Sequence, residues 1–351
     1  MSKLSLSPIG TILKNTDIKG ELFDPNKQKK KKQRRYQELM RGINVYSHST
    51  SERFIDCERK FSCSKLEANR TSGNDPIITL EGNIDFAFGR AIETGIQAAL
   101  LNHTKEKIFF DMFMAWDIAL MAQHPRNIAK TFTDAIIAID QFLAIKEQLM
   151  AGWEVAMFNG RPAIELSLLV DLENGYYYVG HADIILFHPV LRRYRVLEIK
   201  TTGYKNVHPA MYKNSGQAVG YSVFLDEIAR DIELTSTFEV LYLVWPTSIG
   251  FWTPYEFVKS RSARATWLNT VLLDINRIAT YRKLNFFPKR GSSCFNWGKP
   301  CQYLDSCDLD PTAFNQTGEY YIVSEEDLAK HDFDFRFKVS DIIRTQQELI
   351  K

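Results

Sequence analysis

Two acidic side chains and a lysine lie close together in a strand-like part of the chain. Asp183 ends the segment GHAD, and the segment LEIK, one turn later, carries Glu198 and Lys200. Alternate residues of a strand share a face, so Glu198 and Lys200 point one way and Ile199 the other. Two carboxylates on neighbouring strands can hold a divalent ion against a phosphate, and the ion lowers the pKa of a bound water. The spacing predicts metal-assisted phosphodiester hydrolysis, with Lys200 orienting the water or neutralising developing charge.

A polar pair follows in the next predicted helix. Gln217 and Tyr221 are four residues apart in GQAVGYSVFL and therefore share one helical face. Neither side chain ionises near neutral pH. We expect the pair to position the substrate, or to hydrogen-bond Lys200 and the attacking water.

Three cysteines cluster after the last long helix. Cys294, Cys301 and Cys307 have the spacing C-x6-C-x5-C. Such close thiols can share one metal centre, and Cys57, far upstream, is the candidate fourth ligand. Four thiolates serve structural zinc as well as iron-sulfur clusters, so the spacing leaves both open. Cys63 is either a buried apolar thiol or a replacement for Cys57.

The order GxxD, (D/E)xK and QxxxY resembles the RecB-like branch of the PD-(D/E)xK nucleases. This branch includes the nuclease domains of RecBCD and AddAB, the CRISPR-associated RecB-like exonucleases and related phage proteins. The resemblance implies a restriction-endonuclease-like core. It also implies that Asp183, Glu198 and the carbonyl of Ile199 bind Mg²⁺ or Mn²⁺, and that Lys200 assists the water.

Two upstream glutamates extend this resemblance. Family members carry a metal-binding histidine in FGxxxH, and Glu93 stands at that position in FGRAIE. A carboxylate is also a good oxygen ligand for Mg²⁺ or Mn²⁺, so Glu93 is a candidate metal ligand, the alternative being an exposed helical glutamate. Glu165, on the strand before GHAD, matches a frequent acidic position of the family; the alternative is a cross-strand salt bridge.

The cysteine layout also resembles that of AddB-type and CRISPR-associated members. These have one cysteine before the nuclease core and three after it, and they bind a [4Fe-4S] cluster. The resemblance implies such a cluster on Cys57, Cys294, Cys301 and Cys307, with zinc as the alternative metal. The cluster would clamp the two ends of the domain together.

The elements that position these residues begin after a basic lead-in over 1–45. Its run Lys27–Arg35, KQKKKKQRR, is either a phosphate-contacting arm or a solvated tail. The folded part is expected to start near Tyr46, with one helix through RFIDCERKFSCSKL capped by Ser49 or Ser51. A loop follows after Asn69. Helical patterns then cover about 86–150, from Phe86, over 105–122 and over 126–150.

The second half of the chain alternates between strand and helix patterns. The segments AIELSLLV, YYYVGHADIILF and RYRVLEIKT predict three strands. A helix over 210–229, a strand over 238–245 and a helix over 258–284 follow. The pattern predicts an α/β fold with a mixed central sheet flanked by helices and a helical N-terminal region. We expect the nuclease domain to span 46–310, and 311–351 to be an extension without recognisable chemistry.

Charge and hydropathy narrow the class of protein. The net charge of +2 makes no general electrostatic attraction to nucleic acid, so any basic surface must be local. No apolar stretch reaches the roughly 18 residues of a membrane span, and the first residues lack an apolar signal core. We therefore expect a soluble cytoplasmic protein, of a bacterial cell or a phage-infected host, without membrane partners.

The expected function is a DNA exonuclease in recombination, repair or phage DNA metabolism. Its substrate would be single-stranded DNA or DNA ends, and a helicase or recombination protein is the candidate protein partner. Two alternatives remain. One is a catalytically weak DNA-binding or scaffold protein, of which Glu93 would be the first sign. The other is a structure-specific endonuclease.

Overall fold

The computed structural model describes residues 36–66, 84–116, 130–229, 237–296, 299–307 and 319–348. The basic run at 27–35 and the predicted loop after Asn69 lie outside these residues. Within them, the core is an eight-stranded mixed sheet flanked by helices, which confirms the predicted α/β class. None of the helices in this described part is both long enough and apolar enough to cross a membrane.

The strands, in chain order, are β1 (Val45–Tyr46), β2 (Glu154–Val155), β3 (Met157–Phe158), β4 (Arg161–Pro162), β5 (Ile164–Asp171), β6 (Tyr177–His188), β7 (Arg193–Thr202), β8 (Thr237–Pro246), β9 (Thr253–Ser260), β10 (Phe295–Asn296), β11 (Lys299–Pro300) and β12 (Phe335–Lys338). The main sheet runs β12-β5-β6-β7-β8-β9, and β1 and β2 also pair with β6. Pairing is parallel between β7 and β8 and between β12 and β5. The three neighbouring strands predicted from the sequence are β5, β6 and β7, and the later predicted strand is β8.

The helices are α1 (His48–Asp56), α2 (Glu58–Lys65), α3 (Ile84–Leu100), α4 (Lys105–Ala115), α5 (Phe132–Leu149), α6 (Ala210–Lys213), α7 (Gly216–Ile228), α8 (Arg261–Lys283), α9 (Leu304–Cys307), α10 (Glu325–Ala329) and α11 (Val339–Glu348). The prediction of a single first helix is wrong. Ser47 caps α1, two residues before Ser49 and four before Ser51, and the chain is extended at Cys57, whose thiol caps α2. Strand β9 was also missed, because its last residues were assigned to the following helix.

Apolar residues pack on both faces of the sheet. One face carries Tyr178, Val196 and Val244 against α7 and α8. The other carries Leu197 and Ile199 against α3, α4 and α5. Ile199 thus lies on the face opposite Val196, as strand alternation requires. The result is a three-layer molecule in which α7 covers one face of the central strands and α3 the other.

Both chain ends differ from expectation. Residues 36–45 were predicted to be loosely ordered, yet Leu39, Ile43 and Val45 are buried. At the other end β12 extends the sheet beside β5, and Asp334 accepts hydrogen bonds from the backbone N–H and hydroxyl of Ser167 at 2.8 and 2.7 Å. Strand β12, within the segment predicted as an extension, is therefore part of the main sheet.

Candidate active site

Asp183 lies where the pairing of β6 with both neighbours is interrupted. The β6–β7 ladder ends at the pair Ile184 and Leu197, and the next register position places Asp183 opposite Glu198. The Asp183 carboxylate accepts the N–H of Ile199 at 3.3 Å, in place of a backbone partner. The two acidic side chains that the sequence identified are therefore brought together on neighbouring strands.

The pairing of β5 with β6 is interrupted at the same position. The β5–β6 pairs skip the register position that would join Glu165 to Asp183. Glu165 has φ +51°, a left-handed conformation that is uncommon for a residue with a side chain. Its carboxylate lines the same cleft as Asp183, so three neighbouring strands each contribute an acidic residue here.

Glu198 forms the buried floor of the site. Its side chain has no solvent exposure, and one oxygen lies 3.0 Å from Nζ of Lys200. Neither carboxylate oxygen is placed to accept a directed hydrogen bond. A buried carboxylate that has an ion pair but no well-aligned hydrogen bond is destabilising in general, so its presence calls for a functional explanation.

A chain of hydrogen bonds fixes the lysine. Lys200 donates to Oε1 of Gln217 at 2.8 Å, and Nε2 of Gln217 donates to the Tyr221 hydroxyl at 3.3 Å. Gly180 makes this approach feasible, since a Cβ there would lie 3.2 Å from the ring of Tyr221. Of the pair predicted on α7, Gln217 thus contacts Lys200 directly and Tyr221 contacts Gln217, and the glycine of GHAD makes room for the tyrosine ring.

The charges of this cluster are strongly coupled. Burial raises the pKa of Glu198 to about 8, and the adjacent Asp183 adds to the increase. Burial also raises the pKa of Asp183. Burial disfavours the charged form of Lys200, but the carboxylates of Glu198 and Asp183 outweigh it and raise the lysine pKa. The two carboxylates thus favour sharing a proton until a cation compensates their charge.

A cleft of about 1090 Å³ opens above the cluster. Asp183, Lys200, Gln217 and Tyr221 line it. Helix α3 forms part of its wall, and Glu93 of this helix lines the cleft. Glu93 and Glu165, both identified from the sequence as acidic candidates, are therefore on the same cleft as Asp183.

Gln97, which the sequence analysis did not single out, bridges those two acidic residues. Its Nε2 donates to Glu93 at 3.2 Å and to Glu165 at 3.3 Å. The spacing of four residues from Glu93 on one helix was the available signal. Gln97 is buried, so its orientation is fixed by the surrounding core.

The donor set fits Mg²⁺ or Mn²⁺ in kind. Within the described ranges, no group of three or more His, Cys, Asp or Glu side chains is arranged to hold a metal ion. Mg²⁺, however, usually keeps several waters and takes one or two carboxylates plus substrate phosphates. The paired Asp183 and Glu198, with unsatisfied oxygens on Glu198, meet that smaller requirement.

All five cysteines line a second, much smaller cavity of about 20 Å³. The four predicted ligands Cys57, Cys294, Cys301 and Cys307 are among them, and none of the five is in a disulfide. The topology therefore brings the early thiol to the three late ones. It also brings Cys63, which is fully buried.

Cys63 makes its own contact in this cavity. A hydrogen bond joins it to Cys307, and this bond is the main cause that lowers the pKa of Cys307 to about 6. The Cys57 thiol accepts the backbone N–H of Lys60 at 3.5 Å. Both early cysteines thus face the late three, and the two alternatives for the fourth ligand stay open.

Comparisons with known proteins add little to this geometry. No family model matches the chain, and no curated protein matches it. Seven chains of solved structures match, among them one described as "Crystal structure of SSO0001". That chain is 16% identical, the alignment covers 63% of this chain and 84% of the other, and the TM-score is 0.28. A likeness at this level carries no argument about function.

Proposed function

We propose that the protein is a metal-dependent DNA nuclease of the RecB-like PD-(D/E)xK class, with a restriction-endonuclease-like core. The observation that carries the proposal is the buried Glu198 carboxylate, which lies beside Asp183 and Lys200 on the floor of an open cleft without a directed hydrogen bond. The ion pair with Lys200 balances only one of the two adjacent carboxylate charges, so burying both is costly. A divalent cation bound by the carboxylates would offset this cost.

Asp183, Glu198 and the carbonyl of Ile199 would hold the ion, with Glu93 of α3 as a further carboxylate in the cleft. When bound, Mg²⁺ or Mn²⁺ would polarise the phosphoryl oxygens and lower the pKa of a bound water. The chain's own contribution is to set two ionisable oxygens on adjacent strands. The raised pKa of Glu198 means that the free site keeps a proton which the cation would displace.

Lys200 would act on the attacking water or on the phosphate. An ammonium has three N–H donors, and Glu198 and Gln217 occupy two directions around Nζ. The remaining donor can reach an oxygen in the cleft that Lys200 lines. Water would attack phosphorus while the bond from phosphorus to the deoxyribose oxygen breaks, and the ammonium would stabilise the charge on the phosphoryl oxygens.

Gln217 and Tyr221 would keep the ammonium in place. Since Gln217 accepts from Lys200 and donates to Tyr221, its amide orientation is determined by both neighbours. Burial raises the pKa of Tyr221 well above its ordinary value, so this hydroxyl stays protonated. The pair therefore positions Lys200 without exchanging protons itself.

The favoured role is an exonuclease on single-stranded DNA or DNA ends, in recombination, repair or phage DNA metabolism. The cleft is open, and the exposed side chains of Phe110 and Met114 line it, as unpaired bases would require. A helicase or recombination protein remains the candidate partner.

The decisive experiment compares wild type with Lys200→Ala on labelled single- and double-stranded DNA in Mn²⁺. Lys338→Ala, on the exposed side of β12, is the matched control. We expect cleavage by wild type and by the control, and a loss of at least about 100-fold in Lys200→Ala with DNA binding retained. If wild type binds DNA but leaves it intact, the catalytically weak binding protein is the correct description. Cleavage of circular single-stranded DNA would indicate an endonuclease.

The cysteine cavity is proposed to hold a [4Fe-4S] cluster, with zinc as the alternative. Five thiols around one cavity supply the donors in kind. Iron, sulfide and zinc analysis of anaerobically purified protein distinguishes the two metals. Cys301→Ser should lose the metal, and paired Cys57→Ser and Cys63→Ser variants identify the fourth ligand. Colourless protein that carries zinc would exclude the cluster.

A further inference from the structure

Helix α3 presents a polar stripe to the cleft. Arg90, Glu93 and Thr94 line it, at the three- and four-residue spacing of one helical face. The helix passes close to β7 at this point, since a Cβ on Gly89 would lie 3.7 Å from Oγ1 of Thr201. Arg90 therefore enters the cleft next to the strand end that carries the candidate catalytic lysine.

Arg90 has no acceptor among the residues that the structure describes. Its Nε is shielded from solvent and has no hydrogen-bond partner. The lysines that line the cleft have partners. Lys107 pairs with Asp111, and Lys200 contacts Glu198 and Gln217. Among the described lysines and arginines of this cleft, Arg90 is thus the one without an ion pair or hydrogen bond.

An arginine with a shielded N–H and no acceptor is suited to bind an anionic ligand. A buried N–H without an acceptor costs about 1–3 kcal/mol, and native proteins rarely keep one without a reason. The guanidinium presents its donors as a planar fork that matches two oxygens of a phosphate. Most other charges on the cleft wall are carboxylates, among them Glu93, Glu165 and Asp183. A polyanionic substrate therefore needs a cationic contact in this cleft.

We infer that Arg90 binds a backbone phosphate of the substrate and so positions the chain over Asp183 and Glu198. The inference rests on the proposed function, because it takes a phosphodiester as the ligand. It assigns to Arg90 the binding of substrate and leaves the chemical step to the strand residues. The contact is to phosphate, so it should not depend on base sequence.

The test measures binding of a fluorescently labelled single-stranded oligonucleotide by anisotropy in EDTA, where no cleavage occurs. Arg90→Ala should weaken binding about tenfold and reduce the slope of log affinity against log salt by about one contact. Arg161→Ala, an exposed arginine on β4 outside the cleft, is the matched control and should bind as wild type does. Arg90→Lys keeps the charge without the fork and should lose affinity while keeping the salt slope. If thermal melting shows that Arg90→Ala does not fold, Arg90→Lys provides the test instead.

A second readout is specific to phosphate. Oligonucleotides with one neutral methylphosphonate linkage, moved along the chain, should show a position where neutralisation weakens wild-type binding and leaves Arg90→Ala binding unchanged. Equal affinity and equal salt slope for wild type and Arg90→Ala would overturn the inference, and wild-type cleavage in Mn²⁺ would then leave the proposed function intact. If wild type neither binds nor cleaves DNA, both fail.

Discussion

Replacing the buried Glu198 by glutamine should stabilise the metal-free protein, and more so as pH rises. Burial raises the pKa of Glu198 from 4.5 to about 8. The folded protein therefore keeps a proton that the unfolded chain releases between these values, and wild-type stability falls as pH rises through this window. Glu198→Gln has the same shape and does not titrate.

The size of the effect follows from the same pKa. An increase from 4.5 to about 8 corresponds to about 5 kcal/mol between the two ends of the window, at 1.36 kcal/mol per pH unit. The variant should therefore gain stability relative to wild type as pH rises. The difference between their free energies of unfolding should grow by about 1 kcal/mol for each pH unit from 5 to 8. Lys200 retains its hydrogen bond to Gln217 in the variant, which limits the loss from the broken ion pair.

The assay is urea unfolding in EDTA at pH 5, 6.5 and 8, with Glu154→Gln, an exposed residue of β2, as the matched control. Mn²⁺ should then stabilise wild type and the control but not Glu198→Gln, because ligand binding to the folded state raises stability by mass action. A difference between Glu198→Gln and wild type that stays constant from pH 5 to 8 would refute the reasoning. So would equal stabilisation of both proteins by Mn²⁺.

Three further substitutions test the packing and hydrogen bonds around the site. Gly220→Ala should destabilise by about 1–3 kcal/mol in urea unfolding, because its Cβ would lie 2.5 Å from the ring of Trp267 between α7 and α8; an unchanged midpoint would contradict this packing. Gln97→Leu should raise the Mn²⁺ concentration for half-maximal activity by about tenfold with a smaller effect on kcat, since the two carboxylates that it bridges lose their common donor; an unchanged Mn²⁺ requirement would count against the bridge. Asp334→Ala should cost about 1–3 kcal/mol by removing both hydrogen bonds to Ser167, and rapid hydrogen exchange of β12 would report the freed edge.

The sequence alone predicted the strands that carry the candidate site, because their strand character comes from their own residue types. The segments around Asp183 and Glu198 are rich in β-branched and aromatic residues, so their strand character did not depend on distant contacts. Period-two alternation then placed Ile199 on the opposite face, where it packs against the helical layer. The i, i+4 spacing of Gln217 and Tyr221 predicted that both side chains lie on one face of α7, and on that face Gln217 accepts the hydrogen bond from Lys200.

The break at Cys57 could not be read from the sequence, because the helical pattern continues through it. Phe54 and Phe61 recur at helical spacing, yet they lie on separate helices whose apolar faces meet the same core. Burial of both phenylalanines is compatible with either arrangement. Only the extended backbone of Cys57 and the cap that its thiol provides distinguish the two.

The position of Glu165 and the contacts of Arg90 show why the geometry of the candidate site depends on tertiary structure. Strand β6 interrupts its pairing with β5 and with β7 at the same place, and neither neighbour's sequence contains that information. Arg90 is unpaired although Glu93 is three residues away, a spacing at which a sequence-based view expects an ion pair. Gln97 holds Glu93 toward Glu165 instead. The amide that holds the two glutamates together therefore also explains why Glu93 does not form an ion pair with Arg90.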